Sequence, residues 1–135
     1  FDFNSIIPMP DTIYRGALGK EEKKKYGEDN WYDWSIKNWG TKWNASDACV
    51  DEENKTFVFD TAWSAPKKII EAFARILPDI CFVWTWADED RGSNTGKIIC
   101  NNGEISGGYT PNNTKEAYEN YAYCWGEEEP DEDEV

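Results

Sequence analysis

The segment Thr56–Ala87, TFVFDTAWSAPKKIIEAFARILPDICFVWTWA, decides the fold class. Thr56 to Trp63 is dense in β-branched and aromatic side chains, which fit a pleated, half-buried surface and predict a strand. That strand runs into Ser64-Ala65-Pro66. Serine is a good N-cap and proline is tolerated in a first turn whose N–H groups have no helical partner, so a helix is expected from Ala65. Apolar residues follow at Ile69, Ile70, Phe73, Ile76 and Leu77, one stripe of an amphipathic helix that Pro78 ends. Ile80 to Ala87 predicts another strand, with Cys81, Val83 and Thr85 on one face and Phe82, Trp84 and Trp86 on the other. Strand, helix, strand, then further antiparallel arms, predicts an α+β two-layer sandwich.

Outward from this unit the signals are shorter. Asp88–Gly96 is a polar loop. Lys97 to Cys100 and Glu104 to Tyr109 read as hairpin arms around Asn101-Asn102-Gly103, where Asn-Gly favours a tight turn. Glu116 to Trp125 predicts a helix with Tyr118, Tyr121, Ala122 and Trp125 on one face. Toward the N-terminus, residues 43–51 are weakly strand-like, and Asp51 to Lys55 reads as a turn. The stretch WYDWSIKNWGTKW (Trp31–Trp43) reads as a helix capped by Asn30, with Asp33 in its first turn and Gly40 just past its end. Residues 16–28 read as a lysine-rich polar loop with at most one helical turn, and Pro8 and Pro10 stop regular structure after FDFNSII. Residues 1–125 are expected to form one domain and 126–135 an acidic disordered tail. The chain opens at Phe1 rather than an initiator Met, which leaves room for an upstream segment.

Taken together, IIPMP, WYDWSIKNWGTKW, FDTAWSAP, the amphipathic helix, LPDI and the glycine-bearing hairpin resemble the YubB-type ferredoxin-like proteins of plasmids and phages. The likeness covers about Phe1 to Tyr109. It implies a ferredoxin-like sandwich, an antiparallel sheet with helices on one face, and an origin on bacterial mobile elements. It implies no iron–sulfur cluster, which the cysteine spacing would not support. The lysine-rich run at 20–25 and the acidic tail depart from the pattern, and no catalytic residue carries over.

Composition bounds function. The chain has 135 residues, enough for one core, and 8 Trp, 7 Tyr and 6 Phe make that core aromatic. Net charge is −13, from 27 acids and 14 bases, and seven of the acids stand between Glu127 and Glu134. Direct binding to a phosphate backbone is disfavoured, because it relies on Lys and Arg displacing counterions. Acidity favours a basic partner, while a solubilising surface is the plain alternative. There is no His, and Cys49, Cys81, Cys100 and Cys124 form no CxxC, so a zinc site is not expected and the cysteines read as small buried hydrophobes. No cofactor is indicated. Sequons at Asn44, Asn54 and Asn112 carry little weight without an export signal. No apolar run reaches the roughly 18 residues that span a bilayer and no signal-peptide pattern opens the chain; with the bacterial origin that the resemblance implies, a cytoplasmic location is expected.

Candidate sites divide into aromatics and acids. Trp31, Trp34, Trp39, Trp43 and Trp63 could stack on bases or sugars, but a helix that ends on glycine and hands over directly to the next segment reads first as core, with Trp39 or Trp43 left as a surface anchor. Lys37 and Lys42 are the cations beside those indoles. Asp33 and Asp60 lie among aromatics, where a desolvated carboxylate could act as an acid; capping of a helix by Asp33, and bonding of Asp60 to backbone or Thr61, are the simpler roles. Asp88-Glu89-Asp90 does not meet the calcium-loop order. The expected partner-binding acids are Asp51, Glu52, Glu53, Asp88, Glu89 and Asp90, with Glu127, Glu128, Glu129, Asp131 and Glu132 of the tail, and Asp47 beside them. The expectation is a non-enzymatic inhibitor of a basic, nucleic-acid-handling host protein, a defence system among the targets. The alternative is a ligand or nucleic-acid binding module built on tryptophans.

Overall fold

The computed structural model describes residues 2–126. The chain divides between Ala72 and Phe73 into two compact units.

The first unit holds three helices, α1 (Phe3–Ile6), α2 (Lys20–Tyr26) and α3 (Trp31–Trp39), and a hairpin of β1 (Ser46–Asp51) and β2 (Thr56–Asp60). Helix α3 follows its sequence signals closely. Asn30 Oδ1 accepts from the Asp33 N–H at 2.9 Å, and Gly40 closes the helix in the left-handed region at φ +87°. Helix α2 replaces the expected loop. Glu22 Oε2 accepts from the Gly19 N–H, acids fill its first turn and three lysines its last, so the helix dipole is complemented at both ends.

Phe3, Trp39 and Ile69 form the buried centre, with Ile6, Ile7, Met9, Trp34, Ala45 and Phe59 packed on it. The rings meet edge to face: Phe3–Trp39 at 5.9 Å, Phe3–Phe59 at 5.6 Å and Trp34–Trp39 at 5.3 Å between centroids. Trp39 Nε1 donates to the Ile7 carbonyl at 2.9 Å, which satisfies its polar edge inside the core.

Strand β2 stops at Asp60, short of the Trp63 expected. The residues after it make a turn: Thr61 Oγ1 donates to the Ser64 carbonyl, and Trp63 sits at φ +67°. Ser64 is not the helix cap expected of it. Its Oγ donates to the Gly40 carbonyl at 2.7 Å, and α4 (Lys67–Ile76) begins beyond Pro66, whose carbonyl accepts from the Ile70 N–H. The division between units falls inside α4.

The second unit is an antiparallel meander of β3 (Phe82–Trp86), β4 (Thr95–Asn101) and β5 (Glu104–Thr110), followed by α5 (Lys115–Trp125). Asn102 and Gly103 both take positive φ, the geometry a two-residue hairpin loop requires. Strand β4 alternates: Thr95, Ile98 and Cys100 are buried, Lys97, Ile99 and Asn101 exposed. Helix α5 lies against β3 and β4. Its buried residues are Ala117, Asn120 and Ala122; of the expected face, Ala122 is buried, Tyr118 and Tyr121 are half-buried and Trp125 is exposed. Small residues let the helix approach, and Asn120 Nδ2 donates to both Thr95 Oγ1 (3.3 Å) and Thr110 Oγ1 (3.1 Å). Trp125, half exposed, donates through Nε1 to the carbonyls of Ala87 and Asp88.

All four cysteines are free thiols. Cys100 is buried and Cys124 partly so, with its thiol pushed up to about 11 by desolvation. Cys49 and Cys81 are exposed, which corrects their reading as buried hydrophobes; Cys81 Sγ donates to Asn101 Oδ1 at the sheet margin.

Candidate functional site

Two features of the first unit concentrate polar and aromatic groups at the surface. The first is the β1–β2 hairpin. Its pairing sets Val50 opposite Phe57, Cys49 opposite Val58 and Ser46 opposite Asp60. Every residue of β1 is exposed; Val50 is 70% accessible, Val58 55% and Phe57 41%. Asp51, Glu52 and Glu53 stand together at the exposed tip. Asp51 accepts from Asn54 Nδ2 at 2.7 Å and from the Asn54 N–H, which holds its carboxyl below the usual range.

At the base, a bulge places Asp47 at φ +50° and brings its carboxyl to that of Asp60. Partial burial first, then the charge of Asp47, pushes the Asp60 carboxyl upward. The side-chain partner of Asp60 is thus Asp47, while the Thr61 hydroxyl expected to bond it goes to the Ser64 carbonyl. From Ser46 to Asp60 the hairpin holds five acids and one lysine, a local charge of −4.

The second feature is an open cleft of about 290 Å³ beside α3. Trp31, Ser35 and Trp39 line it from the helix, Lys42, Trp43 and Asn44 from the segment after it, and Asn4, Met9 and Arg15 from the N-terminal stretch. Trp31 is fixed by its Nε1 bond to the Gly16 carbonyl at 2.8 Å. Asn44 Oδ1 accepts from the N–H groups of Phe3 and Ala45. Arg15 is anchored by the carbonyls of Ile13, Met9 and Pro10 at 3.1–3.3 Å. Lys42 Nζ lies over two rings, 4.2 Å from the Trp43 centroid and 3.7 Å from that of Trp63. Ser35 Oγ is buried without a hydrogen-bond partner.

The predicted residues are thus separated by role. Trp34 and Trp39 are core; Trp31 is half-buried; Trp43 (56%) and above all Trp63 (80%) are surface aromatics. Of Trp39 and Trp43, the two expected candidates for a surface indole, Trp43 is the exposed one, and Trp63, expected within a strand, is exposed beside it. Asp33 accepts from Asn30 Nδ2 within the α3 cap.

Asp88, Glu89 and Asp90 belong to the second unit. Asp88 is half-buried and structural: its Oδ1 accepts from the Asp90 N–H and its Oδ2 from Asn94 Nδ2. Glu89 and Asp90 are exposed. Glu127, Glu128, Glu129, Asp131 and Glu132 lie outside the described residues. Arg15 and Ser35 were missed: one sits in a polar loop and the other on a helix, and only tertiary packing brings them to the cleft.

Among the described residues no group of three His, Cys, Asp or Glu side chains converges to hold a metal, and no helix is long and apolar enough to cross a membrane.

Helices with antiparallel sheets define an α+β protein of the ferredoxin-like kind. Residues 38–133 match the family described as the ferredoxin-like domain in Api92-like protein, and the chain belongs to that family. The match begins inside α3, so it takes in NWGTKW and TAWS but leaves WYDW outside, and it extends past Tyr109 to residue 133. No curated protein and no solved structure matches the chain.

Proposed function

We propose that the protein acts by binding a basic partner protein of the nucleic-acid-handling kind, and that the β1–β2 hairpin is the element that docks. One observation carries this reading: apolar side chains are exposed on the hairpin directly beside a local charge of −4. Val50 and Phe57, paired across the strands on one face, supply contact area, and the carboxylates at tip and base supply attraction to lysines and arginines that would otherwise hold phosphates. Contiguous exposed apolar surface rimmed by polar groups is a mark of interaction sites. The likeness to YubB-type proteins supports a plasmid or phage origin, a bacterial cytoplasmic setting, and a host defence protein such as a CRISPR or restriction effector as the target. The reading needs no catalytic group.

The test is capture from nuclease-treated bacterial lysate on the immobilised full chain. Basic nucleic-acid-binding proteins should be retained at low salt and released at high salt. Retention should fall with Asp51→Asn, Glu52→Gln and Glu53→Gln combined, and with Val50→Ser. If the low-salt fraction holds no basic protein, or the charge-neutral variant retains the same set, the reading fails.

The tryptophan cleft supports a second reading, ligand binding. Its specific observation is that the cleft lining carries two cations and no carboxylate.

A further inference from the structure

We infer that the cleft beside α3 is a binding site for a single nucleotide unit, a flat ring joined to a phosphate. The inference is independent of the hairpin and stands or falls without it.

Charge is the first ground. In a chain of net charge −13, the cleft lining contains Arg15 and Lys42 and no acid. Both cations are held in place before any ligand arrives. Three backbone carbonyls take three of the five N–H donors of Arg15, which fixes the guanidinium plane and leaves two donors for an anion. Lys42 rests over the rings of Trp43 and Trp63, so little side-chain freedom remains to be lost on binding.

The second ground is an orphan. Ser35 is 1% exposed, lines the cleft, and its Oγ has no partner. Buried hydroxyls are rarely left so, and rotation of the Ser35 side chain toward the cleft would let a ligand oxygen or ring nitrogen satisfy it. The third is shape and surface. Trp31 and Trp43 are aromatic rings of the lining against which a base can pack, Lys42 Nζ lying over one face of Trp43. A volume of about 290 Å³ lies at the small end of ligand sites, the scale of one nucleotide rather than a polymer. Two cations also match one phosphate, while the overall negative charge repels a long polyanion.

The nucleotide unit could be free or part of a single strand, and calorimetry on the full chain separates the two. The probes are adenosine monophosphate, adenosine, inorganic phosphate and a short oligothymidylate. A nucleotide unit should bind saturably, about tenfold or more tighter than adenosine or phosphate alone. Binding of the monophosphate marks a free ligand; binding of the oligonucleotide alone marks a strand, with a salt slope no steeper than about −2.

Arg15→Ala and Lys42→Gln should each weaken binding about tenfold. Lys42→Gln keeps the test independent if loss of the Arg15 bonds disturbs folding. Ser35→Ala should leave the melting temperature unchanged or raised, because the hydroxyl has no bond to lose, yet weaken binding several-fold. The inference is overturned if neither nucleotide probe binds, if adenosine or phosphate binds as tightly as the whole unit, if Lys42→Gln leaves affinity unchanged, or if Ser35→Ala lowers stability without touching affinity.

Discussion

Asn30 offers the sharpest test of how the first unit is held. It is wholly buried and makes three bonds: Oδ1 accepts from the Asp33 N–H at 2.9 Å, and Nδ2 donates to the Gly27 carbonyl at 2.8 Å and to Asp33 Oδ2 at 2.7 Å. Asn30→Ala removes an N-cap, at about 1 kcal/mol, and orphans a carbonyl and a carboxylate oxygen, at about 1 kcal/mol more each. The expected loss is about 2–3 kcal/mol, or roughly 10 °C in melting temperature for a chain this size.

Asn30→Asp is the discriminating variant. Aspartate is as good an N-cap as asparagine in general, and it keeps the bond to the Asp33 N–H. Here it replaces the Nδ2 donor with an oxygen facing another carboxylate at about the distance of the former bond. At an effective dielectric near 20, two charges so close repel by on the order of 5 kcal/mol before relaxation. Asn30→Asp should therefore destabilise at neutral pH at least as much as Asn30→Ala. Its cost should shrink as pH falls and one carboxyl takes up a proton. Urea unfolding followed by circular dichroism at pH 7 and pH 4 reads both effects. An Asn30→Asp protein as stable as the parent at pH 7 would refute the assignment of Nδ2 as a donor to Gly27 and Asp33.

Three further outcomes are expected. Ile69→Ala opens a cavity against Phe3 and Trp39 in the buried centre and should cost about 2–4 kcal/mol by chemical denaturation. Gly107→Ala should cost more than about 2 kcal/mol or prevent folding, because φ is +91° and a Cβ would meet the Lys97 carbonyl oxygen at 2.3 Å; a wild-type melting curve would contradict it. Asp60→Asn should stabilise at neutral pH. The Asp60 carboxyl is raised by burial and by Asp47, so ionisation favours the unfolded chain, and acid favours the folded one as pH falls through the raised value. The gain from Asp60→Asn should accordingly be present at pH 7 and fade toward pH 4, and a gain that grows with acid would be inconsistent with the pair.

Local signals made the secondary structure legible where they were strong and self-contained. Asn30 and Gly40 bounded α3, Asn102-Gly103 set the β4–β5 turn, and the apolar spacing of Ile69, Ile70 and Phe73 announced α4. Readings failed where a side chain found a distant partner. Ser64 has the chemistry of a cap, yet its hydroxyl goes to Gly40, 24 positions back. Of the face Tyr118, Tyr121, Ala122 and Trp125 that spacing sets on α5, only Ala122 is fully buried, and Ala117 and Asn120 join it because close approach to the sheet favours small residues there. The acid cluster of the hairpin tip was legible as a run of letters. The cleft was not, since Arg15, Ser35 and Lys42 share no local pattern and converge only through folding.

The same long-range bonds explain why NWGTKW and TAWSAP occur together. Thr41 Oγ1 donates to the Ala62 carbonyl at 2.9 Å and Ser64 Oγ to the Gly40 carbonyl at 2.7 Å, so each segment closes the other's turn. Glycine is favoured at position 40: φ is +87°, and a Cβ would crowd the Ala65 carbonyl oxygen and the Lys67 nitrogen at 3.3 Å. This joint carries Trp63 in the left-handed region, where a bulky residue costs roughly 1–2 kcal/mol, while leaving its ring 80% exposed. The turn sets that ring against Lys42, which lines the cleft, just beyond the end of β2. Trp63→Gly separates the two contributions. Relief of the strained φ should offset the lost ring contact and keep stability within about 1 kcal/mol of the parent, while ligand affinity at the cleft falls. A Trp63→Gly protein that melts far below the parent would instead make the indole a structural residue.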